Sequence, residues 1–564
     1  MHHSSTDKSG KGELTRREIL SSEKGTILKK WGGKIPVCVV FPNSYHIGMS
    51  NLSTQILYKT LNDIPDIVCE RCFVDENGGN LSLESGRPIS SFCIIFFTIS
   101  YELDYMNIVK ILRSTSIALH SKARRKDEPL VVAGGICVMS NPEPIQGFID
   151  LFLMGDIETT IPDFMEKYMA TKEKKRDEIL DGLSVFDWVY NPWKLKVTYM
   201  EDGTIERFYP EDFHVKPKGF TGKHLGSSQI IAENTEFSNM YLVEGTRGCP
   251  SQCPFCLLGN TYTFKHDRLL PLETDIEDIG IIGGGVSFHP HLFEMLKELK
   301  SVGKHVHFPS LRIDETPLPV IELIQDEIKT LTFGIEAGAE RLRAFIGKPL
   351  KNDDLYEKID SILAIKPFNL KFYFMIGLFG ETPEDLEDIV DLVKRTKHMM
   401  VKRGAKKGFV GSITVHVSPF VPKPSTPFQW LPMEEMGELK NRIGWLKRAI
   451  GKIDNTYFTH ESVKYSFIQG VLARGDRRMG DVIERLADGE NLNKVLKTSP
   501  VNLNFYTFRE RDKNELFPWD FIRGKKSKRK LYEILVSKLP CLTTVCLGQP
   551  DTVSNGISGI KQKT

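Results

Sequence analysis

Short apolar runs that end in Gly or Ser, each followed by a stretch of helical period, recur in two separate series along this chain, and that alternation restricts it to folds built on parallel sheets. The first series runs through IPVCVVF (35–41), SNLSTQILYKTLN (50–62), FCIIFFTIS (92–100), YMNIVKILRST (105–115), PLVVAGG (129–135) and DLFLMGD (150–156). It predicts a flavodoxin- or Rossmann-like parallel sheet over 35–170, with ligands at the carboxyl ends of its strands. The second series starts at NMYLVEGTRGC (239–249) and includes DIGIIGGG (278–285), HVHFPSLR (305–312), TLTFGIEAG (330–338), FNLKFYFMIGLFG (368–380) and SITVHVSPFV (412–421). Six βα-like units over 236–450 predict a full or partial β/α barrel of TIM type. The intervening 171–235 reads as a linker with a hairpin at Asp202-Gly203, because glycine tolerates the positive φ of the turn. Residues 1–34 show no sustained period and read as a mobile or weakly helical lead-in, and 451–564 as an α-rich C-terminal domain and tail. A chain of 564 residues has room for several such cores.

Composition narrows the function class. The 75 basic and 73 acidic side chains leave a net charge of +2, so the balance gives no bias toward nucleic acid. The longest apolar run, FCIIFFTI (92–99), falls far short of the ~20 residues a membrane-crossing helix needs. The amino-terminal MHHSSTDKSGKGELTRREIL has no apolar signal core, which predicts a cytoplasmic protein with no membrane partner. Ten cysteines are too dilute for a disulfide framework, yet three crowd into EGTRGCPSQCPFC, which in a reducing compartment points to metal or redox chemistry.

That segment sets Cys249, Cys253 and Cys256 as CxxxCxxC on the loop leaving the first strand of the second series. Three thiolates on one short loop can hold three irons of a 4Fe-4S cluster and leave the fourth iron open to a substrate or cofactor. The alternative is a structural zinc ion, which needs four closed ligands. His266 could complete such a set, while the next cysteine along the chain is Cys541.

With Phe255 before the last cysteine, the segment resembles the CxxxCxΦC hallmark of the radical S-adenosylmethionine (SAM) superfamily. The resemblance implies that Cys249, Cys253 and Cys256 are the metal ligands and the catalytic centre. It implies also that the open iron chelates SAM and that one electron from the cluster splits the sulfonium to a 5′-deoxyadenosyl radical. Phe255 would lie along the adenine. Further stretches follow in the superfamily's strand order. In IGGG (282–285), Gly283 and Gly284 would approach the methionyl amino group without a Cβ in the way, although Val286 and Ser287 stand where many members carry an acid. SLRID (310–314) offers Arg312, whose planar fork suits a carboxylate or a surface ion pair. GIEAGAERLR (334–343) puts Glu336 near the SAM ribose or in a barrel-bracing role, and MIGLFGETPED (375–385) puts Ile376 and Gly377 along adenine.

An α/β region before such a barrel resembles the cobalamin-binding domain of one branch of the superfamily. FPNSYHIGMSNLSTQILY (41–58), VVAGGICVMSNPEPI (131–145) and LFLMGDIE (151–158) carry that likeness at the ends of successive strands. It places a corrinoid and its nucleotide tail there, with Ser44, Gly134 and Gly135 among the contacts, although a tight turn also wants glycines. The run Ser44-Tyr45-His46-Ile47-Gly48 lacks the Asp of DxHxxG, so His46 reads as a loop or packing residue. Cys69 and Cys72 read as buried small side chains. HVSPFVPKPSTPFQW (416–430), GDRRMGDVI (475–483) and FRERDKNELFPWDFI (508–522) resemble the tail of the same branch. Pro419, Pro422, Pro424 and Pro427 fix an extended run that shapes a channel or braces the last strand. Cys541 and Cys546 are too few for a second cluster, and GKKSKRK (524–530) reads as a solvated helix start rather than an RNA contact.

The implied function is a cobalamin-dependent radical SAM C-methyltransferase acting on an unactivated carbon of a small molecule or a protein, such as a glutamine of methyl-coenzyme M reductase. An electron donor such as ferredoxin or flavodoxin would serve it. The alternatives are radical SAM chemistry without methyl transfer (cyclisation, rearrangement or methylthio transfer) and a non-catalytic cobalamin or iron-sulfur sensor.

Overall fold

Strands buried on both faces read as unbroken apolar runs, and the first series owes its pattern to that burial. In a computed structural model that describes residues 14–74, 80–268 and 270–543, six strands form the first sheet. They are β1 (Ile35–Phe41), β2 (Ile67–Phe73), β3 (Ile94–Thr98), β4 (Leu130–Gly134), β5 (Leu151–Leu153) and β6 (Val189–Tyr190). The first five are parallel in the order 2-1-3-4-5, and β6 closes the outer edge antiparallel. Alternate residues serve opposite faces. Val37 and Val39 pack with Leu57, Leu61 and Phe164 of two covering helices, while Cys38 and Val40 pack with Ile108 and Leu112 on the other side. Cys69 and Cys72 are fully buried within β2, as small apolar side chains should be.

The linker carries the expected hairpin, β7 (Lys196–Tyr199) with β8 (Ile205–Tyr209). It turns where Asp202 accepts from the Thr204 N–H at 2.8 Å and Gly203 sits at φ +89°. The second series then supplies β9 (Tyr241–Glu244), the short antiparallel pair β10 (Thr246–Arg247) and β11 (Lys265–His266), β12 (Asp278–Ile282) and β13 (His305–His307). It continues with β14 (Thr330–Glu336), β15 (Asn369–Ile376), β16 (Ile413–Pro419) and β17 (Thr456–His460). β9, β12 and β13 are parallel neighbours, and so are β14 to β17 in chain order; one parallel bridge, Leu311 to Phe333, links the two groups. Phe333, Phe372 and Val415 point outward into a core shared with the helices Leu292–Ser301, Asn352–Ile365 and Pro383–Gly404. The last of these starts where its sequence says, with Pro383 in the first turn and the Asp385 carboxylate accepting from the Thr382 N–H at 2.7 Å.

Three boundaries differ from the sequence reading. β17 lies beyond 450, because its TYFTH has no apolar run to announce it. The C-terminal region does not stand apart: Phe467, Val471, Trp519 and Leu535 share one core with Cys38 of the first sheet and with Phe345 and Phe428 of the second series. The described part of the lead-in is anchored as well. Helix Arg16–Ser22 ends at Glu23, whose carboxylate meets the Arg71 guanidinium at 2.7 Å, and Glu84 takes the other side of Arg71 at 2.7 Å. Local period cannot report a partner some fifty residues away. Residues 1–13 and Cys546 lie outside the described residues. Among the described residues no helix is long and apolar enough to cross a membrane.

The Arg71 side chain is 0% exposed, so replacing it with Met strands two acids, Glu23 and Glu84, without their cation. Arg71→Met should lower folding stability by about 3–5 kcal/mol in a denaturant titration. An unchanged midpoint would contradict the anchoring of the lead-in.

Candidate active site

The pair β10 and β11 closes the loop that carries the three cysteines, and the loop is built by close backbone contacts. Gly248 precedes Cys249 at φ +71°, where a Cβ would stand 2.9 Å from the Thr263 carbonyl oxygen. Glycine is therefore required at that corner. The Cys256 N–H donates to the Cys253 carbonyl at 3.0 Å. The buried Asn260 amide then donates to the carbonyls of Cys253 (3.1 Å) and Cys256 (2.8 Å), fixing the spacing of two cysteines at once. Two outside segments clamp the loop. The Phe428 N–H donates to the Pro254 carbonyl at 3.1 Å, and a Cβ on Gly347 would lie 2.8 Å from Pro254 Cδ. The proline run at 419–427 thus ends by bracing the cysteine loop.

All three cysteines are free, and Cys253 is 7% exposed. Burial pushes the Cys249 and Cys256 thiols up, and Cys253 raises both further by like charge. Cys249 and Cys256 therefore resist ionising unless a positive charge stands beside them. Arg312 and Lys348 each pull the Cys249 thiol back down. Among the described residues no three His, Cys, Asp or Glu side chains converge on a point for a single ion, and His266 stands against His289 and His291 with ring centroids 5.2 and 6.5 Å away. The donor set suits a group broader than one ion: three thiols spaced along a loop, with a glycine-lined wall beside them.

That wall is the run 283–285. A Cβ on Gly283, at φ +143°, would run into the backbone of Thr246, and one on Gly284 into Leu258. A Cβ on Gly285 would meet Gly248 O at 3.2 Å and Cys249 Cα at 3.5 Å. Close packing against the cysteine loop is thus enough to demand glycine there, whatever binds beside it. Arg312 reaches the same loop. Its Nη1 donates to Ser251 Oγ at 2.7 Å and lies 3.9 Å from Cys253 Sγ, while Asp314 occupies the rest of the fork. The fork read as suited to a ligand carboxylate is already engaged by a carboxylate of the chain. Glu336 sits at φ +71°, uncommon for a residue with a side chain, where β14 shifts register against β15. It pairs with Lys348 at 2.9 Å, which links it to Cys249.

The other expected residues have separate places. Phe255 packs half-buried against the core shared by both sheets. The Ile376 side chain is buried on the helix-facing side, and the Gly377 N–H donates to Glu381 Oε2 at 2.7 Å. Ser44 caps helix Tyr45–Ser50. Gly135, at φ +112°, makes the turn after β4, where a Cβ would run into the Ile99 carbonyl. The short helix Ile136–Ser140 that follows packs against helix Leu257–Thr261 at the end of the cysteine loop. His46 is exposed and faces Glu236 at 3.1 Å.

Sequence reasoning missed the inner face of the second series. β14, β15 and β16 alternate strictly between buried and half-exposed positions, and the half-exposed ones include Lys371, Tyr373, Thr414, His416 and Ser418. A fully packed face would carry branched apolar side chains at these positions; this one is half-exposed and mostly polar. The Tyr373 and His416 rings meet edge to face at 5.0 Å. His416 Nδ1 lies 2.9 Å from Thr459 Oγ1, and its Nε2 lies 3.3 Å from a Glu461 oxygen, out of hydrogen-bonding line with it. The signal was present as polar residues at alternate positions of NLKFY (369–373) and TVHVS (414–418).

Residues 243–393, from within β9 to the middle of helix Pro383–Gly404, match the model of the radical SAM superfamily, and residues 53–192 match that of radical SAM proteins, N-terminal. The chain belongs to the radical SAM superfamily. Within the superfamily it is similar to the uncharacterized protein MJ0966 of Methanocaldococcus jannaschii, at 29% identity over 490 residues, 85% of this chain and 97% of that one. Among solved structures, the cobalamin-dependent S-adenosylmethionine radical enzyme OxsB with aqua-cobalamin and S-adenosylmethionine bound aligns at TM-score 0.42 and 15% identity over 65% of this chain, which spans about half (53%) of that one. Streptococcus suis SuiB bound to S-adenosylmethionine aligns at TM-score 0.29 and 12% identity, covering 40% of this chain and 50% of SuiB. Scores this low carry no assignment of ligand or reaction.

Gly283→Ala tests the wall. The added methyl, together with the unfavourable φ, should cost about 1–3 kcal/mol of stability. It should also lower the iron bound per chain after anaerobic reconstitution, with Gly303→Ala as a control, since a Cβ at Gly303 meets open space despite its own positive φ.

Proposed function

We propose that this radical SAM enzyme transfers a methyl group to an unactivated carbon, with a cobalamin held at the strand ends of the first sheet. The observation that carries the radical half of this reading is the cysteine loop itself: three free thiols, two of them held at fixed spacing by Asn260, backed by a glycine wall. Cys249, Cys253 and Cys256 would hold three irons of a 4Fe-4S cluster. The residues near Ser251, Arg312 and Gly347 line a cleft of about 300 Å³ on the same loop, room for part of a SAM molecule.

The cobalamin half rests on place. The first sheet is buried along its strands but opens at their ends, where Ser44 to His46, Ser100 and Tyr101, and Gly134 to Ile136 are exposed or half-exposed. Successive parallel strand ends are where such sheets take ligands, and Gly134 leaves only the Leu153 carbonyl, at 3.5 Å, near a hypothetical Cβ. These ends also approach the second series, where Lys423 meets Glu102 at 2.6 Å, and the C-terminal region, where Gln469 donates to Glu102 at 2.9 Å. The two parallel sheets of the second series would then act as one partial β/α barrel whose open inner face holds the substrate. When bound, cluster and SAM would supply a radical able to remove hydrogen from an unactivated carbon, and cobalamin the methyl group.

The chain's own residues position and shield. Asp314 and Ser251 fix Arg312 against the loop, so the guanidinium holds positive charge next to Cys253 without shifting. Lys371, Tyr373 and His416 offer donors and acceptors on the inner face, which suits a polar substrate such as an amide side chain or a small polar molecule. A low-potential electron donor such as ferredoxin or flavodoxin completes the scheme.

Anaerobically reconstituted protein should cleave SAM to 5′-deoxyadenosine under dithionite, and Cys253→Ala should abolish that cleavage and reduce bound iron. Cleavage that persists in the variant would sink the radical reading. The visible spectrum of anaerobically isolated protein should show corrin bands beside those of the cluster after cobalamin is added and excess removed. Cluster bands alone would remove the methyl-transfer reading and leave radical chemistry without it.

A further inference from the structure

A cavity of about 650 Å³ opens behind the cysteine loop, where Met139 and Asp156 of the first domain, the linker at 216–220, residues 260–263 and the C-terminal stretch 519–531 meet. Its charge is lopsided. Arg247 is neutralised by Asp156, Glu158 and Glu244, Lys218 by Asp163, and Lys528 by Asp520. Five further cations on the wall, Lys216, Lys265, Arg523, Lys525 and Lys526, form no ion pair with a carboxylate among the described residues. They come from the linker, the cysteine-loop hairpin and the C-terminal stretch, so only the folded chain gathers them. The crowding has an electrostatic cost: burial first, then the like charges of Lys525 and Lys530, pull the Lys526 ammonium down to about 8.

The basic run at 524–530 is therefore more than a solvated helix start. Lys525 donates to the carbonyls of Gly259 (3.3 Å) and Tyr262 (3.1 Å), and Lys526 donates to Asn260 Oδ1 at 2.7 Å. Asn260 is the residue whose amide fixes Cys253 and Cys256, so cavity and cysteine loop share a wall. The first turn of helix Lys528–Lys538 lies on the same wall and adds its positive end. Phe220, Trp519 and Ile522 supply an apolar side.

We propose that this cavity binds a small phosphate-bearing molecule, with the five cations on its phosphate groups and the apolar side against its organic part. A pocket of this volume with an apolar side suits a small molecule better than a polymer backbone, which tracks a long groove. Met139 and Asp156 place the cavity beside the ends of β4 and β5, next to the proposed cobalamin position, and its cations stand whether or not methyl transfer does.

Isothermal titration of the full-length protein with inorganic pyrophosphate tests it. Binding should appear at millimolar pyrophosphate or below and weaken as salt rises. Lys216→Gln combined with Arg523→Gln should weaken it about tenfold or more, since two charge contacts are lost. Both side chains are exposed and hold no hydrogen bond among the described residues, so a thermal melt matching wild type separates lost binding from lost fold. No heat at millimolar pyrophosphate, or equal affinity in the double variant, overturns the site. A single-stranded RNA oligonucleotide that binds more tightly than pyrophosphate and is lost in the same variant overturns the small-molecule assignment in favour of nucleic acid.

Discussion

The close approach of backbone around Cys249 to Cys256 is the constraint on which the rest of the site depends. A cluster needs its ligands at fixed distances, yet three cysteines on an eight-residue loop could spread apart. Here the loop cannot open, because neighbouring backbones occupy the space it would move into. Thr263 stands against Gly248, Thr246 against Gly283, and Pro254 is held between Gly347 and the Phe428 N–H. The Asn260 amide then converts this packing into spacing by bridging two cysteine carbonyls. Several glycines of the region, which a motif reading assigns to ligand approach, serve first to let protein touch protein.

The two sheets divide the work by how they treat their faces. Both faces of the first sheet are covered, so it offers a ligand only its strand ends. The second series covers its outer face with helices and leaves the other face half-exposed, with Lys371, Tyr373 and His416 on it. The C-terminal residues join the two. Asn141 after β4 donates to the carbonyls of Ala473 (3.0 Å) and Gly475 (2.7 Å), and Glu143 meets Arg477 at 2.8 Å. Buried polar contacts of this kind fix one relative placement, because any other leaves their donors unpaired.

Charge behaves the same way. A chain with net charge +2 has no polyanion signature, and yet its fold separates the charges. Acidic residues are used up in buried pairs such as Glu23 and Glu84 with Arg71, or Asp150 with Arg124 and Arg176, while cations gather uncompensated behind the cysteine loop. Whole-chain composition averages over that separation.

The sequence by itself determined most of the strands and the membership of the radical SAM superfamily. Apolar runs of strand length named β1, β3, β4 and β5 of the first sheet and most strands of the second series, and CxxxCxxC singled out Cys249, Cys253 and Cys256, because both patterns lie in residues adjacent along the chain. It also located the hairpin at Asp202-Gly203, where the turn's positive φ selects its own residue. Only the tertiary structure decided that Arg312 is already held by Asp314, that Glu23 ties the lead-in to β2, that β17 extends the second sheet, and that Lys525 and Lys526 meet Asn260. Each of these joins groups through space rather than along the chain, and a periodic pattern has no means of recording which distant partner a side chain will meet.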